Sequence, residues 1–280
     1  MRLGVNVPNF GPGTDPDMLR RWALTAEGLG FDLLMISDHV VITPDVAEKY
    51  PAPFYEPFTT LAWLAGATTR IGLGTTVVVL PYRHPLLMAR MAANINDLSG
   101  GRLVLGVGVG WARQEFEALG VAYEQRGRLT DDHLAAMADA WADESDYRSG
   151  GVPIWVGGDS DAALRRTVRF GQAWHPLRST LPWLREKMPR LRAIAAELGR
   201  PTPALAPRIT LRITKDKLTG PGRRAGEGTI EQVADDLEQL GLLGAESVLL
   251  DPFQGDPEQT RHPESSWEML AAVAALRNAD

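Results

Sequence analysis

The sequence predicts a (β/α)8 barrel, and three observations carry that prediction. Short apolar runs alternate with longer helical runs eight times across 280 residues, and such a barrel usually takes about 250. The short runs are almost continuously apolar, as strands covered by helices on both faces are. Polar and glycine residues gather just past the ends of these runs, where a barrel collects them at one mouth. A doubly wound sheet is the alternative that the same alternation allows. The whole chain, 1–280, reads as one barrel domain.

Residues 3–7 are the first strand. Asp15 and Pro16 supply an N-cap and a first-turn proline. Met18, Leu19, Trp22, Ala23, Ala26 and Leu29 then repeat at helical spacing until Gly30 stops the helix. Residues 31–37, FDLLMIS, are the second strand. An extended loop, 39–56, separates it from the helix opened by Pro57. Its Tyr50, Phe54 and Tyr55 make it too apolar for a solvated loop and suit a cover over the mouth. The third strand is 71–79, and Pro85 opens a helix that ends near Ser99.

The fourth strand, 103–109, carries Gly106 and Gly108, with Gly110 just beyond. Glycine weakens a strand, so its alternation there predicts that something approaches the backbone closely, and at that end of a sheet the expected visitor is a cofactor or substrate. A long helix follows over 128–142, then a fifth strand over 153–156. Ser160 caps a helix running to Phe170, and 172–175 is the sixth strand. Residues 182–198 are helical and 208–214 are the seventh strand. The Gly-, Lys- and Arg-rich stretch 215–228 predicts a second, mobile cover. Thr229 to Gln232 has capping-box form, with Ile230, Val233, Leu237 and Leu240 as the apolar face of the next helix. The eighth strand is 247–250, and a helix over 264–276 closes the chain.

Composition narrows the function. A net charge of −6 with scattered arginines argues against a nucleic-acid groove. No run of about 18 apolar residues suggests a membrane span, and the opening residues have no apolar signal core. With no cysteine there is neither a disulfide framework nor thiolate chemistry. These features predict a cytoplasmic protein whose partner is a small molecule.

The barrel reading brings one set of residues to the rim. Asn6 and Asn9 follow the first strand, Ser37, Asp38 and His39 the second, and Thr75, Thr76, Arg83 and His84 the third. Gly108, Gly110 and Trp111 follow the fourth; Gly157, Gly158, Asp159 and Ser160 the fifth. Trp174 and His175 belong to the sixth strand, and Asp251 follows the eighth. His39 is the leading candidate for proton transfer, because imidazole titrates near neutrality. Asp38 beside it would fix its tautomer; alternatively the pair closes a loop hydrogen bond. His84 and His175 read as structural, while His133 and His262 read as surface residues on helices. The turn Gly157-Gly158-Asp159-Ser160 runs into a helix, whose free N–H groups and dipole suit an anion; an ordinary capped turn is the other reading.

Other chemistries find no support. No H-E-x-x-H or acidic cluster has metal-ligand spacing, so no metal site is expected. No G-x-S-x-G elbow occurs. Trp111 stands where G-x-G-x-x-G needs its third glycine, which argues against a Rossmann site. Lys215 lies beside Asp216 and Lys217, as in a solvated turn.

Six segments resemble the luciferase-like monooxygenase superfamily, especially its branch dependent on coenzyme F420: LGVNVPNFGP, GFDLLMISDHVV, TTRIGLGTTVVVLPYRHP, NDLSGGRLVLGVGVGW, PIWVGGDSDAALRR and GEGTIEQVADDL. The resemblance implies a barrel with the cofactor's tricyclic ring across its mouth. It implies catalytic roles for His39 and Asp38 next to that ring, and a non-proline cis peptide at Thr76–Val77 behind it. Asn6, Thr75, Thr76, Val77, Gly108, Gly110, Trp111, Gly157, Gly158, Asp159 and Ser160 would bind the cofactor, the glycines and Ser160 holding its phosphate-bearing tail. The implied chemistry is hydride transfer between coenzyme F420 and an organic substrate. Use of reduced flavin mononucleotide (FMN) with oxygen is the alternative, and a non-catalytic flavin- or deazaflavin-binding protein the third. A homodimer through the outer helices is also implied. Two departures stand out. Trp111 replaces a glutamate of the sugar-phosphate-oxidising relatives, so that activity is not carried over. The segment 143–152, before the fifth strand, is shorter than the family's excursion there, which alters the pocket wall.

Overall fold

A computed structural model describes residues 1–142, 151–177 and 179–277. Its strands are β1 (Arg2–Asn6), β2 (Leu33–Ile36), β3 (Gly72–Thr75), β4 (Val78–Val79), β5 (Leu103–Gly108), β6 (Ile154–Gly157), β7 (Ala173–His175), β8 (Ala204–Leu205), β9 (Arg208–Thr210), β10 (Arg212–Ile213), β11 (Glu227–Gly228) and β12 (Ser247–Asp251). The helices are α1 (Pro16–Gly28), α2 (Pro44–Ala47), α3 (Pro57–Ala67), α4 (Pro85–Leu98), α5 (Arg113–Ala118), α6 (Arg126–Trp141), α7 (Asp161–Phe170), α8 (Leu181–Glu197), α9 (Ile230–Leu242) and α10 (Glu264–Arg277).

The strands pair in parallel in the order β8-β7-β6-β5-β3-β2-β1-β12-β9. Its two ends, β8 and β9, are halves of one chain segment, 204–210. Ala206 donates to the Trp174 carbonyl on one side, and Leu249 donates to the Pro207 carbonyl on the other. The sheet therefore closes on itself as the predicted (β/α)8 barrel. Every residue of β2, β5 and β12 is buried, because helices cover the strands outside while the interior fills inside. Helix α1 shows the local logic: the Asp15 carboxylate accepts from Met18 N at 2.7 Å, and Leu19, Trp22, Ala23 and Ala26 face the core.

Two strands differ from expectation. The seventh starts earlier, at Ala204, where Ala204 and Leu205 pair with β7, and it is interrupted before Arg208 because Pro207 has no N–H to pair. It also ends earlier: Arg212–Ile213 peels off to pair with Glu227–Gly228. The stretch 215–228, expected to be mobile, is thereby anchored. Arg223 grips Asp236 through both guanidinium nitrogens at 2.7 and 2.6 Å, and Gln232 clasps Leu218. The third strand breaks at a cis peptide between Thr76 and Val77, then resumes as β4 against β5. The short segment before β6 falls largely on 143–150, outside the described residues.

The glycine alternation receives a specific explanation. A Cβ on Gly106 would stand 1.9 Å from the Thr75 carbonyl oxygen, one on Gly108 2.5 Å from Val77, and one on Gly110 2.7 Å from Val79. The close neighbour is thus the third strand's own bulge, not the expected cofactor or substrate. Gly106→Ala forces a carbon into backbone that cannot yield, so the loss should reach about 3 kcal/mol, the upper range for overpacking. Urea unfolding measures this, and a loss below about 1 kcal/mol would show that β3 and β5 can separate.

Among the described residues no helix is long and apolar enough to cross a membrane.

Candidate active site

A cavity of about 260 Å3 opens at the C-terminal ends of the strands. Val77, Val79 and the Gly108–Gly110 backbone form one side of it, and His39, Tyr50 and Trp111 another; His175 and Arg208 also face it. A second cleft of about 570 Å3 adjoins it, sharing Gly158 and Leu177, and is lined further by Asp159, Ser179, Thr180 and Trp183. Together they offer an apolar platform with a polar-edged channel, which fits a flat ring carrying a tail. The channel passes the N-terminus of α7, where Ser160 Oγ accepts from Ala163 N at 3.2 Å.

His39 follows β2 and is 7% exposed. Its Nδ1 lies 2.6 Å from Glu115 Oε2. Glu115 stands on α5 with no exposed surface. It also accepts from Tyr82 Oη at 3.0 Å, and from Val40 N and Val41 N at 2.6 and 3.1 Å. Burial alone would raise the Glu115 carboxyl. The hydrogen bond and charge of His39, with the two backbone N–H groups, outweigh it and hold the carboxyl below its ordinary value. Burial pushes the Tyr82 phenol up, and the adjacent Glu115 adds to the rise, so Tyr82 stays a donor. An ionised Glu115 accepts the Nδ1 proton of His39. This leaves Nε2, which has no protein partner among the described residues, as the free ring nitrogen. Tyr50 stacks on the His39 ring at 5.4 Å, while Phe54 and Trp111 meet it edge-on at 5.4 and 5.7 Å. Lys49 Nζ lies 4.3 Å from the centre of the Trp111 ring.

Asp38 borders the cavity, but its oxygens are occupied. Arg83 binds them at 2.7 and 2.8 Å, and Val79 N donates to Oδ2 at 2.9 Å. Burial disfavours the Arg83 charge, yet Asp38 and Glu56 more than restore it and raise its pKa. The pair therefore anchors β4 to the end of β2.

Beneath the mouth lies a buried polar chain. Arg208 binds Asp251 Oδ2 through Nε and Nη2 at 3.0 and 2.8 Å, and Nη1 donates to the Thr76 carbonyl at 3.0 Å. Burial lowers the His175 pKa from 6.5 to about 4. The neutral ring donates from Nδ1 to the Ala206 carbonyl and accepts at Nε2 from Thr76 Oγ1, 2.9 Å away. Between pH 6.5 and about 4 the unfolded chain protonates this histidine and the folded chain does not, so stability falls with pH across that window. The full loss is about 3 kcal/mol. His175→Asn should flatten this part of the pH–stability curve in denaturant titrations; an unchanged slope would place the proton uptake elsewhere.

Thr76, Val77, Gly108, Gly110, Trp111, Gly157 and Gly158 all line the cavity, and Asp159 the adjoining cleft. Asn6 and Thr75 lie off the cavity wall, and Ser160 lines neither the cavity nor the adjoining cleft. The Asn6 amide donates to Asp251 at 2.9 Å and the Thr75 hydroxyl to the Gly106 carbonyl at 2.7 Å, which turns both into the barrel. His84 is structural, accepting from Leu86 N as the cap of α4. His133, expected at the surface, is half-buried and hydrogen-bonded to the Leu80 carbonyl at 3.0 Å. Sequence reasoning missed Glu115, Tyr82 and Arg208. A glutamate on a short helix reads as solvated; its one signal is a position four residues past Trp111, on the rim.

The comparisons agree with this fold. Residues 1–217 match the family model described as luciferase-like monooxygenase. A phthiodiolone/phenolphthiodiolone dimycocerosates ketoreductase of Mycobacterium tuberculosis is 28% identical over 212 residues, 68% of this chain and 54% of that protein. An F420-dependent secondary alcohol dehydrogenase, solved with an F420–acetone adduct, shares the fold at a TM-score of 0.74 and 17% identity, over 97% of this chain and 98% of that one. The oxygenating constituent of 3,6-diketocamphane monooxygenase from Pseudomonas putida, solved with FMN, also has a TM-score of 0.74, with 18% identity over 98% and 96% of the two chains. The chain belongs to the luciferase-like monooxygenase family of oxidoreductases.

Proposed function

We propose that this protein is an F420-dependent oxidoreductase in which His39 exchanges a proton with the substrate. The carrying observation is the buried His39–Glu115 pair, which leaves Nε2 free beside an apolar cavity. The cofactor, when bound, supplies the hydride-transferring carbon. Val77 and Val79 would support the ring, Trp111 would cover it, and Gly157, Gly158 and Ser160 would lie along its tail. Asp38 acts as a positioning residue that fixes β4 through Val79 N. In reduction the doubly protonated ring, its charge offset by Glu115, gives its Nε2 proton to the substrate oxygen and takes one back from solvent afterwards; in oxidation the bare Nε2 accepts the proton. A ketone or its secondary alcohol suits this exchange, and the ketoreductase and alcohol dehydrogenase relatives support that class.

The FMN-bound neighbour favours a second reading, an FMN-dependent monooxygenase using reduced flavin and oxygen. Fluorescence titration with F420 and, separately, FMN distinguishes the two. Micromolar binding of F420 with FMN at least about tenfold weaker is expected; the reverse order would replace the first reading with the second. Binding without turnover of any ketone or secondary alcohol would favour a non-catalytic carrier.

A further inference from the structure

A second hollow, of about 220 Å3, lies outside the cavity described above, between the loops that follow β9 and β12. Thr210, Arg212, Arg224, Glu227, Phe253 and Gln254 line it. Its charge is positive, with two guanidinium groups against one carboxylate. Arg224 is exposed; its backbone N–H donates to Glu227 Oε2 at 3.3 Å, while its guanidinium makes no hydrogen bond or ion pair among the described residues. Arg212 Nε forms an ion pair with Glu227 Oε1 at 3.6 Å, beyond hydrogen-bond distance, so its forked donors still have hydrogen-bonding capacity. Deeper in, Thr210 is 7% exposed and its Oγ1 is buried without any hydrogen-bond partner. A buried hydroxyl left unpaired costs about 1–3 kcal/mol unless something completes it. Two forked donors, a hydroxyl and the Gln254 amide converging on one hollow match an oxyanion. In barrels, the loops after the seventh and eighth strands commonly hold such a group.

The hollow is walled off from the candidate active site by a row of packed rings. His39 stacks on Tyr50 at 5.4 Å, Tyr50 meets Phe10 at 5.0 Å, and Phe10 meets Phe253 at 5.0 Å. Phe253 lines the hollow, and Tyr50 lines the cavity. We propose that this hollow binds an oxyanion, the carboxylate or phosphate of a small-molecule ligand held by Arg212, Arg224, Thr210 and Gln254.

Calorimetric titration of the protein with inorganic phosphate and, separately, acetate tests it, using wild type and the double variant Arg212→Gln/Arg224→Gln. The expected result is saturable one-to-one binding of at least one anion, weakened about tenfold or more in the double variant; which anion binds tells a phosphate monoester from a carboxylate. Cofactor affinity, measured in parallel, should not change. The inference is overturned if neither anion binds wild type, or if the double variant binds it equally well. It is also overturned if the double variant loses cofactor affinity, because the arginines would then hold the cofactor's own tail. Both side chains reach solvent, and circular dichroism checks that the variant is folded. If wild type binds neither F420 nor FMN, the proposed function fails, whatever the anion titration shows.

Discussion

Replacing His39 with alanine should lower kcat/KM by about 10²–10⁴-fold, the usual contribution of a positioned general acid or base. The cofactor's dissociation constant should change by no more than about threefold, because the ring would rest mainly on Val77, Val79 and the Gly108–Gly110 backbone. Steady-state kinetics and cofactor titration separate the two quantities. Unchanged turnover would reduce His39 to a loop anchor. Loss of cofactor affinity with retained turnover at saturation would make it a binding residue.

Glu115 should give the largest effect on stability. Glu115→Ala removes the acceptor for His39, Tyr82 and two backbone N–H groups at once. Breaking a buried charged pair in this way costs about 3–5 kcal/mol. Glu115→Gln keeps the shape and one acceptor oxygen, so it should fold while losing the charge that fixes the His39 tautomer; kcat should fall about 10²-fold or more. The native carboxyl of Glu115 is held below its ordinary value, so its contribution is fully present above the unfolded carboxylate value. That contribution is lost as pH falls through the folded value. Glu115→Gln should therefore weaken the acid-side decline in stability, read from denaturant midpoints at several pH values. A Gln variant matching wild type in both kcat and acid stability would remove Glu115 from the site.

The barrel was legible because its signals are local and repeated. Apolar runs, proline-led helices and caps such as Asp15 and Ser160 each act within a few residues. The rim set was legible for the same reason: barrel topology alone brings His39, Thr76, Trp111 and Gly157 to one mouth. Pairings across the fold were not. His39 and Glu115 are 76 positions apart, and Arg208 reaches the Thr76 carbonyl across 132. Charge alone names no partner at such separations. The glycine alternation does mark a close approach, but of the third strand's bulge rather than of the expected cofactor or substrate, because spacing carries no information about what approaches. Likewise, Pro207 shows where a strand must interrupt its pairing without showing that the segment closes the barrel.

The anchoring of 212–228 has a mechanical consequence. This segment is fastened chiefly to α9, by Arg223 on Asp236 and Gln232 on Leu218. The floor of the mouth is held instead by strand-borne groups, Arg208, Asp251 and His175. The two supports share no side chain, so loosening the grip of α9 on 212–228 leaves the hydrogen bonds of the floor intact.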